Sequence, residues 1–190
     1  MYKACKTQQS AKRQQYIVDC LLRMWCRQSY DSITVSALCQ DAGVPRKTFY
    51  RYFESKDDVF SFALDSLIVK YESFAGPYAP NEPHTPEKDM EKLFSFYQTH
   101  DFILELMLRD NMTGVVIERT AKYIWEQEAG AQLRYTSESS MFRQMAVLFS
   151  TCGLFALVLD WYKKGYPCTA REMALVARQL LTKPMFEPLS

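Results

Sequence analysis

The sequence has no Cys-x-x-Cys pair: its six cysteines stand at positions 5, 20, 26, 39, 152 and 168, and only two histidines accompany them. A zinc site or a dithiol redox centre needs closer ligand spacing, so neither metal nor cofactor is expected. Four of the cysteines lie inside apolar helical patterns, where a free thiol packs as a small hydrophobe, and a reduced cytoplasmic chain is the expectation. Glycine is scarce, six in 190 residues, and neither strand-like alternation nor an Asn-Gly hairpin signal occurs. Met1 to Lys12 holds no apolar stretch of the kind a signal peptide requires. Long apolar runs are also lacking. Met145 to Leu159 is interrupted by Ser150 and Thr151 and bounded by Arg143 and Asp160. That is short of the roughly 20 residues of a bilayer crossing, so a buried helix and no membrane partner are expected. Finally, there is almost no net charge: 23 basic against 22 acidic side chains leave +1. Taken alone, that balance argues against a nucleic-acid partner.

What is present is apolar and helical. Residues of the apolar and aromatic types make up 48% of the chain, too many for a disordered segment. They recur at three- and four-residue steps, which predicts an all-α fold. Tyr16, Ile17, Cys20, Leu21, Met24 and Trp25 form the apolar stripe of a first helix. Thr34 can cap a short second helix with Val35, Leu38 and Cys39 inward, and Gly43 supplies its stop. Pro45 suits the start of a third helix, ending near Glu54, whose inward face is Phe49 and Phe53. Ser55 to Asp58 has the form of a capping box opening a long fourth helix, with Val59, Phe60, Ala63, Leu67, Tyr71 and Phe74 along one side. Four prolines between Gly76 and Pro86 interrupt helix there. Further helices are expected at about Glu87–Thr99, Asp101–Arg109, Thr113–Glu128, Ser139–Lys164 and Ala170–Leu181, with turns at Gly130 and Gly165.

The charge is unevenly spread. Met1 to Lys56 carries ten basic and four acidic residues, a balance of +6, and the remainder of the chain carries −5. A basic head on an acidic body is the electrostatic footprint of a phosphate-binding domain, concealed by averaging. Within that head, TVSALCQDAGVPRKTFYRY from Thr34 to Tyr52 spells two short helices joined at Gly43, which is helix-turn-helix spacing. With Phe49 and Phe53 inward, Arg46, Lys47, Thr48, Tyr50 and Arg51 are left to project outward. Arginine and lysine can donate to guanine, tyrosine can meet thymine methyls or phosphate, and threonine can bond either.

The stretch ITVSALCQDAGVPRKTFYRYFESKDDVF resembles the DNA-binding segment of the TetR family of bacterial transcription regulators. The likeness covers roughly Lys12 to Leu67, including the Thr-x-x-x-Leu start, the Ala-Gly-Val turn, the Thr-Phe-Tyr-x-Tyr-Phe core and the Ser-Lys-Asp-Asp cap. Cys39 stands where alanine is more usual, and Pro45 where a serine or another small capping residue is common. The resemblance implies a helix-turn-helix domain over residues 10–56 and a larger helical regulatory and dimerisation domain over 57–190. It also implies a homodimeric regulator, most often a repressor, that binds a palindromic double-stranded DNA operator and is released by a small-molecule ligand. By position, Arg46, Lys47 and Arg51 would read bases, Tyr50 and Thr48 would meet backbone or base, and Thr34, Lys56 and Ser36 would hold phosphates. The alternative is a co-regulator of the same kind controlled by a protein partner.

The body shows general features only. Phe142, Met145, Phe149, Gly153 and Ala156 give one helix more than one apolar face, which suits a twofold contact. With Trp161, they are the expected dimer interface, and the ending resembles the last two helices of a TetR subgroup. The chain has twelve tyrosines, twelve phenylalanines and nine methionines. Such residues can form ordinary core or line a cavity for a small apolar or aromatic ligand, with Tyr97, His100, Arg109 and Trp125 as candidate polar anchors. His100 and Asp101 are neighbours on a helix and point apart, so no catalytic residue is assigned.

Overall fold

The computed structural model describes residues 2, 3, 5, 7–76, 85–130 and 139–182, with the backbone alone for 127–130 and 182. Among them run α1 (Gln8–Arg27), α2 (Val35–Asp41), α3 (Arg46–Phe49), α4 (Lys56–Ala75), α5 (Pro86–Thr99), α6 (Phe102–Arg109), α7 (Thr113–Gly130), α8 (Ser140–Lys163) and α9 (Ala170–Thr182), and no strand. The fold is all-α. Most of the loop expected between Gly76 and Pro86 lies outside the described residues, as does the turn following Gly130, the last residue of α7.

The helix starts follow from local chemistry. Thr7, Thr34, Thr85 and Ser139 each accept a backbone N–H of the first turn of α1, α2, α5 and α8, respectively. Two capping boxes form. The Ser55 hydroxyl accepts from the Asp58 N–H, while the Asp58 carboxylate accepts from the Glu54 N–H. Likewise, Thr169 and Glu172 each accept the other's backbone N–H. The stop of α2 is Gly43, at φ +60°, a left-handed conformation that side chains resist.

The described residues form two compact units. One comprises those up to Ile68 together with Leu106–Met112; the other comprises Val69–Glu105 and those from Thr113 onward. The first unit thus takes in the opening turns of α4 and the end of α6, which the sequence reading assigned to the body. Its core is Ile17, Leu21, Trp25, Leu38, Phe49, Phe53 and Phe60, all buried. Edge-to-face ring pairs, Trp25 with Phe60 at 5.4 Å and with Tyr30 at 5.7 Å, organise that core. In the second unit α5 lies along α9 and α7 along α8. The small Ala174 and Ala177 of α9 are fully buried, which allows close helix approach.

Several expectations need correction. Tyr16 is 47% exposed, outside the first helix's buried stripe, with the Arg23 guanidinium 5.6 Å from its ring. Regular helix in α3 ends at Phe49 and not near Glu54. Beyond it, the bonds tighten to three-residue steps, Arg51 N–H to Thr48 and Tyr52 N–H to Phe49, which carry the chain to Phe53. An unexpected single 3-10 turn, Tyr30–Ser32, joins α1 to α2. Helix α8, at 24 residues, has the length and apolar composition of a membrane-crossing helix, longer than the apolar stretch suggested. Its Val147, Phe155, Val158 and Trp161 are nevertheless buried in its own unit.

A polar mesh ties the end of α6 to the end of α1. Asp110 accepts from the Trp25 indole N–H and from the Tyr30 backbone N–H at 2.9 Å. Arg109 donates to the Trp25 carbonyl at 2.6 Å and the Gln28 carbonyl at 3.0 Å, supplying partners for carbonyls a helix end leaves free. Arg109, then the two N–H donors, hold the Asp110 carboxyl down at about 2. A carboxyl depressed on folding adds stability that is complete above its unfolded value, near 3.9, and is lost as pH falls through the folded value. Asp110→Asn is expected to destabilise the protein at pH 7 by about 1–3 kcal/mol. It is also expected to flatten the loss of stability between about pH 4 and pH 2. Urea denaturation across that range checks both, and an unchanged midpoint at pH 7 contradicts the assignment.

Candidate functional site

The outward face of the helix-turn-helix is set by what lies beneath it. Phe49 and Phe53 have no exposed surface, and Tyr52 is 5% exposed. The ring of Phe53 meets Phe49 at 5.8 Å and Phe62 at 6.0 Å. With those positions committed to the core, Arg46, Lys47, Tyr50 and Arg51 stand exposed and Thr48 half-buried. Three cations and two hydrogen-bonding hydroxyls on so short a segment suit the phosphates and base edges of a DNA groove.

Three of these residues are joined before any ligand arrives. The Arg46 guanidinium donates to the Ser36 hydroxyl at 3.3 Å and to the Tyr50 hydroxyl at 3.2 Å, with its carbon 5.9 Å from the Tyr50 ring centre. The Tyr50 hydroxyl, the leading cause, raises the Arg46 pKa further. This clasp spans α2 and α3 and orders long side chains that would otherwise lose freedom on binding. Thr34 and Ser36 are exposed at the start of α2, and the Thr34 hydroxyl already accepts the Ala37 N–H at 3.1 Å. Lys56 is turned inward: its ammonium donates to the Tyr30 carbonyl at 2.8 Å and lies 4.3 Å from the Tyr30 ring centre. It keeps two further N–H donors, so it reaches a phosphate only from this tethered position.

One residue at this face escaped sequence reasoning. The Lys3 N–H donates to the Tyr52 carbonyl at 2.9 Å, and its ammonium lies 3.5 Å from the Tyr50 carbonyl. It is an exposed cation beside the end of α3. Its only signal was membership of the basic head, because contacts 47 and 49 residues apart leave no local pattern.

The second unit holds a cavity of about 190 Å³ among α5, α7 and α8, including Leu93, Tyr97, Ile117, Thr120, Ser150 and Phe155 in its lining. Among the described residues its eleven lining side chains are uncharged. Of the four anchors expected from sequence, only Tyr97 lines it. His100 stacks on the Phe96 ring at 4.3 Å, its Nδ1 2.9 Å from the Phe96 carbonyl oxygen, and Trp125 is half-buried elsewhere on α7. Arg109 belongs to the first unit, where the free carbonyls at the end of α1 occupy its guanidinium.

Of the expected dimer residues, Phe142 at 51% exposure and Phe149 at 61% form an exposed stripe on α8 with Met145, Gly153 and Ala156. Leu175, Val176 and Leu180 of α9 are also exposed. Trp161 is corrected: it is 1% exposed, in ring contact with Phe94 and Tyr166, and its indole N–H donates to the Cys168 carbonyl at 3.0 Å. The left-handed Gly165–Tyr166 turn folds the chain back over it.

These features define a helix-turn-helix DNA-binding protein with a separate helical unit. Residues 17–61 match the family of bacterial regulatory proteins of the tetR type. Over those residues the chain carries the DNA-binding domain of that family. Solved structures agree with the fold. One, assigned to the TetR-family transcriptional regulators, from Syntrophomonas wolfei, has a TM-score of 0.60 at 17% identity, covering 90% of this chain and 95% of that one. A TetR-family transcriptional regulator from Streptomyces coelicolor has 0.53 at 16%, covering 90% and 79%. The fatty acid degradation regulator FadR from Bacillus halodurans has 0.51 at 18%, covering 96% and 98%. No curated protein matches the chain.

Proposed function

We propose that the protein is a cytoplasmic, homodimeric repressor that binds a palindromic operator through Arg46, Lys47, Thr48, Tyr50 and Arg51, and that a small molecule in the second unit releases it. The observation that carries the reading is the inward burial of Phe49 and Phe53, which commits the opposite face of the segment to cations and hydroxyls. In the proposed complex, Arg46, Lys47 and Arg51 read base edges, Tyr50 and Thr48 meet base or backbone, and Thr34, Ser36 and Lys56 fix the register on phosphates. Twofold pairing through the apolar stripe of α8 and the exposed leucines of α9 would place two heads roughly 34 Å apart, one DNA turn. A ligand that favours a state with a different head spacing opposes DNA binding, and the operator opposes the ligand by the same factor. The apolar cavity among α5, α7 and α8 supports a small-molecule effector over a protein one.

The DNA assignment is checked by fluorescence anisotropy on the promoter region beside the protein's own gene. Binding is expected to weaken with salt, Arg46→Ala, Lys47→Ala and Tyr50→Ala each to cost about 1–3 kcal/mol, and Lys56→Ala to lower the salt slope by about 1. Equal binding by Arg46→Ala with Tyr50→Ala and by the wild type contradicts it. For the interface, Phe149→Glu places a charge on the exposed stripe and is expected to give a monomer in analytical ultracentrifugation. A dimer of unchanged strength shows that this stripe is not the contact.

A further inference from the structure

The cavity of the second unit restricts the chemistry of its occupant. This inference rests on the ligand-responsive reading and names the class of ligand. The volume of about 190 Å³ is somewhat larger than an apolar cavity of about 150 Å³ that stays dry and binds benzene. It therefore has room for one ring, or a short chain, with a small substituent. Its walls are chiefly Leu, Ile, Val and Phe, so water gains little there and hydrocarbon gains much.

The polar content is small and neutral. Thr120, Ser150 and Thr151 bring hydroxyl-bearing side chains, and Ser150 already donates to the Ala146 carbonyl within α8. Among the described residues no hydrogen bond is made to the hydroxyl of Tyr97, Thr120 or Thr151, and of these three Tyr97 carries its hydroxyl on the longest side chain lining the cavity. Burial, with Tyr71 adding to it, pushes that hydroxyl up to about 12, so it stays a neutral donor and acceptor. Among the described lining residues a carboxylate meets no cation and an ammonium meets no carboxylate; either loses its hydration there without replacement.

We propose that the cavity takes a small uncharged molecule, a hydrocarbon or aromatic body carrying one hydroxyl or carbonyl group that pairs with the Tyr97 hydroxyl, and rejects its charged analogues. A hydroxyl or carbonyl on the occupant pairs with the Tyr97 hydroxyl, while the rest of the molecule fills apolar volume.

The test uses matched probes on the full-length protein, read by isothermal titration calorimetry: p-cresol against 4-methylbenzoate, 1-hexanol against hexanoate, and toluene as the body without a polar group. The neutral member of at least one pair is expected to bind, and its anion to bind at least about tenfold more weakly. Tyr97→Phe is expected to weaken the hydroxylated probe several-fold while leaving toluene unchanged, which separates a lost hydrogen bond from a damaged fold. Thr151→Val serves as a second variant that keeps the lining volume and is expected to leave the anion excluded. Tight binding of either anion overturns the proposal, as does failure of every neutral probe or equal loss of p-cresol and toluene in Tyr97→Phe. The operator is then added. A neutral probe that binds without releasing DNA supports the ligand class and contradicts release by ligand. Release of DNA by an anion while the neutral probes stay unbound overturns the class and leaves ligand release standing.

Discussion

The seating of Phe49, Tyr52 and Phe53 in the core of the first unit is the contact on which the site depends. The Phe53 ring meets Phe49 and, on α4, Phe62, and burying Phe49, Tyr52 and Phe53 fixes the rotation of the segment from Arg46 to Phe53. Rotation decides which side chains face water. Had the aromatic positions been shifted by one or two residues, the same composition would have placed a cation in the core and a phenylalanine on the surface. The basic face is thus a consequence of hydrophobic burial, and the clasp of Arg46 with Ser36 and Tyr50 then adds order to a surface whose direction is already set.

A second set of constraints reaches the head from far along the chain. Asp110 and Arg109 satisfy polar groups at the end of α1 and the turn that follows, and Lys56 satisfies the carbonyl of Tyr30 in that same turn. The buried Trp25 lies at the centre, with its indole N–H on Asp110 and its ring on Phe60. A head built from α1, α2 and α3 alone would have few such anchors of its own. Residues 106–112 supply them and are part of the head's structure, although they lie some 80 residues beyond α1 in the sequence.

Nearly all of the helix-turn-helix was legible in advance because its signals are local. Thr34 and Ser55 cap within three residues, Gly43 ends α2 by its own backbone conformation, and Phe49 and Phe53 are one helical turn apart. The charge division at Lys56 was legible for the same reason. What failed was distant pairing. Arg109 is a candidate ligand anchor by sequence, but nothing local tells that α1 ends where it can cap the carbonyls. Trp161 was placed at the dimer surface because α8 is apolar on several sides, and only the turn at Gly165 and Tyr166 reveals which side its own chain covers. The cavity is a property of packing among α5, α7 and α8, and volume left unfilled has no sequence pattern at all.

The central claim is that two copies of this outward basic face read one DNA duplex. Hydroxyl-radical footprinting of the wild-type protein on its own promoter region tests it most directly. The account predicts two related protected patches whose centres lie about one helical turn, roughly 34 Å, apart and are symmetric about a palindrome. A single patch, or protection spread evenly without regard to sequence, would contradict it.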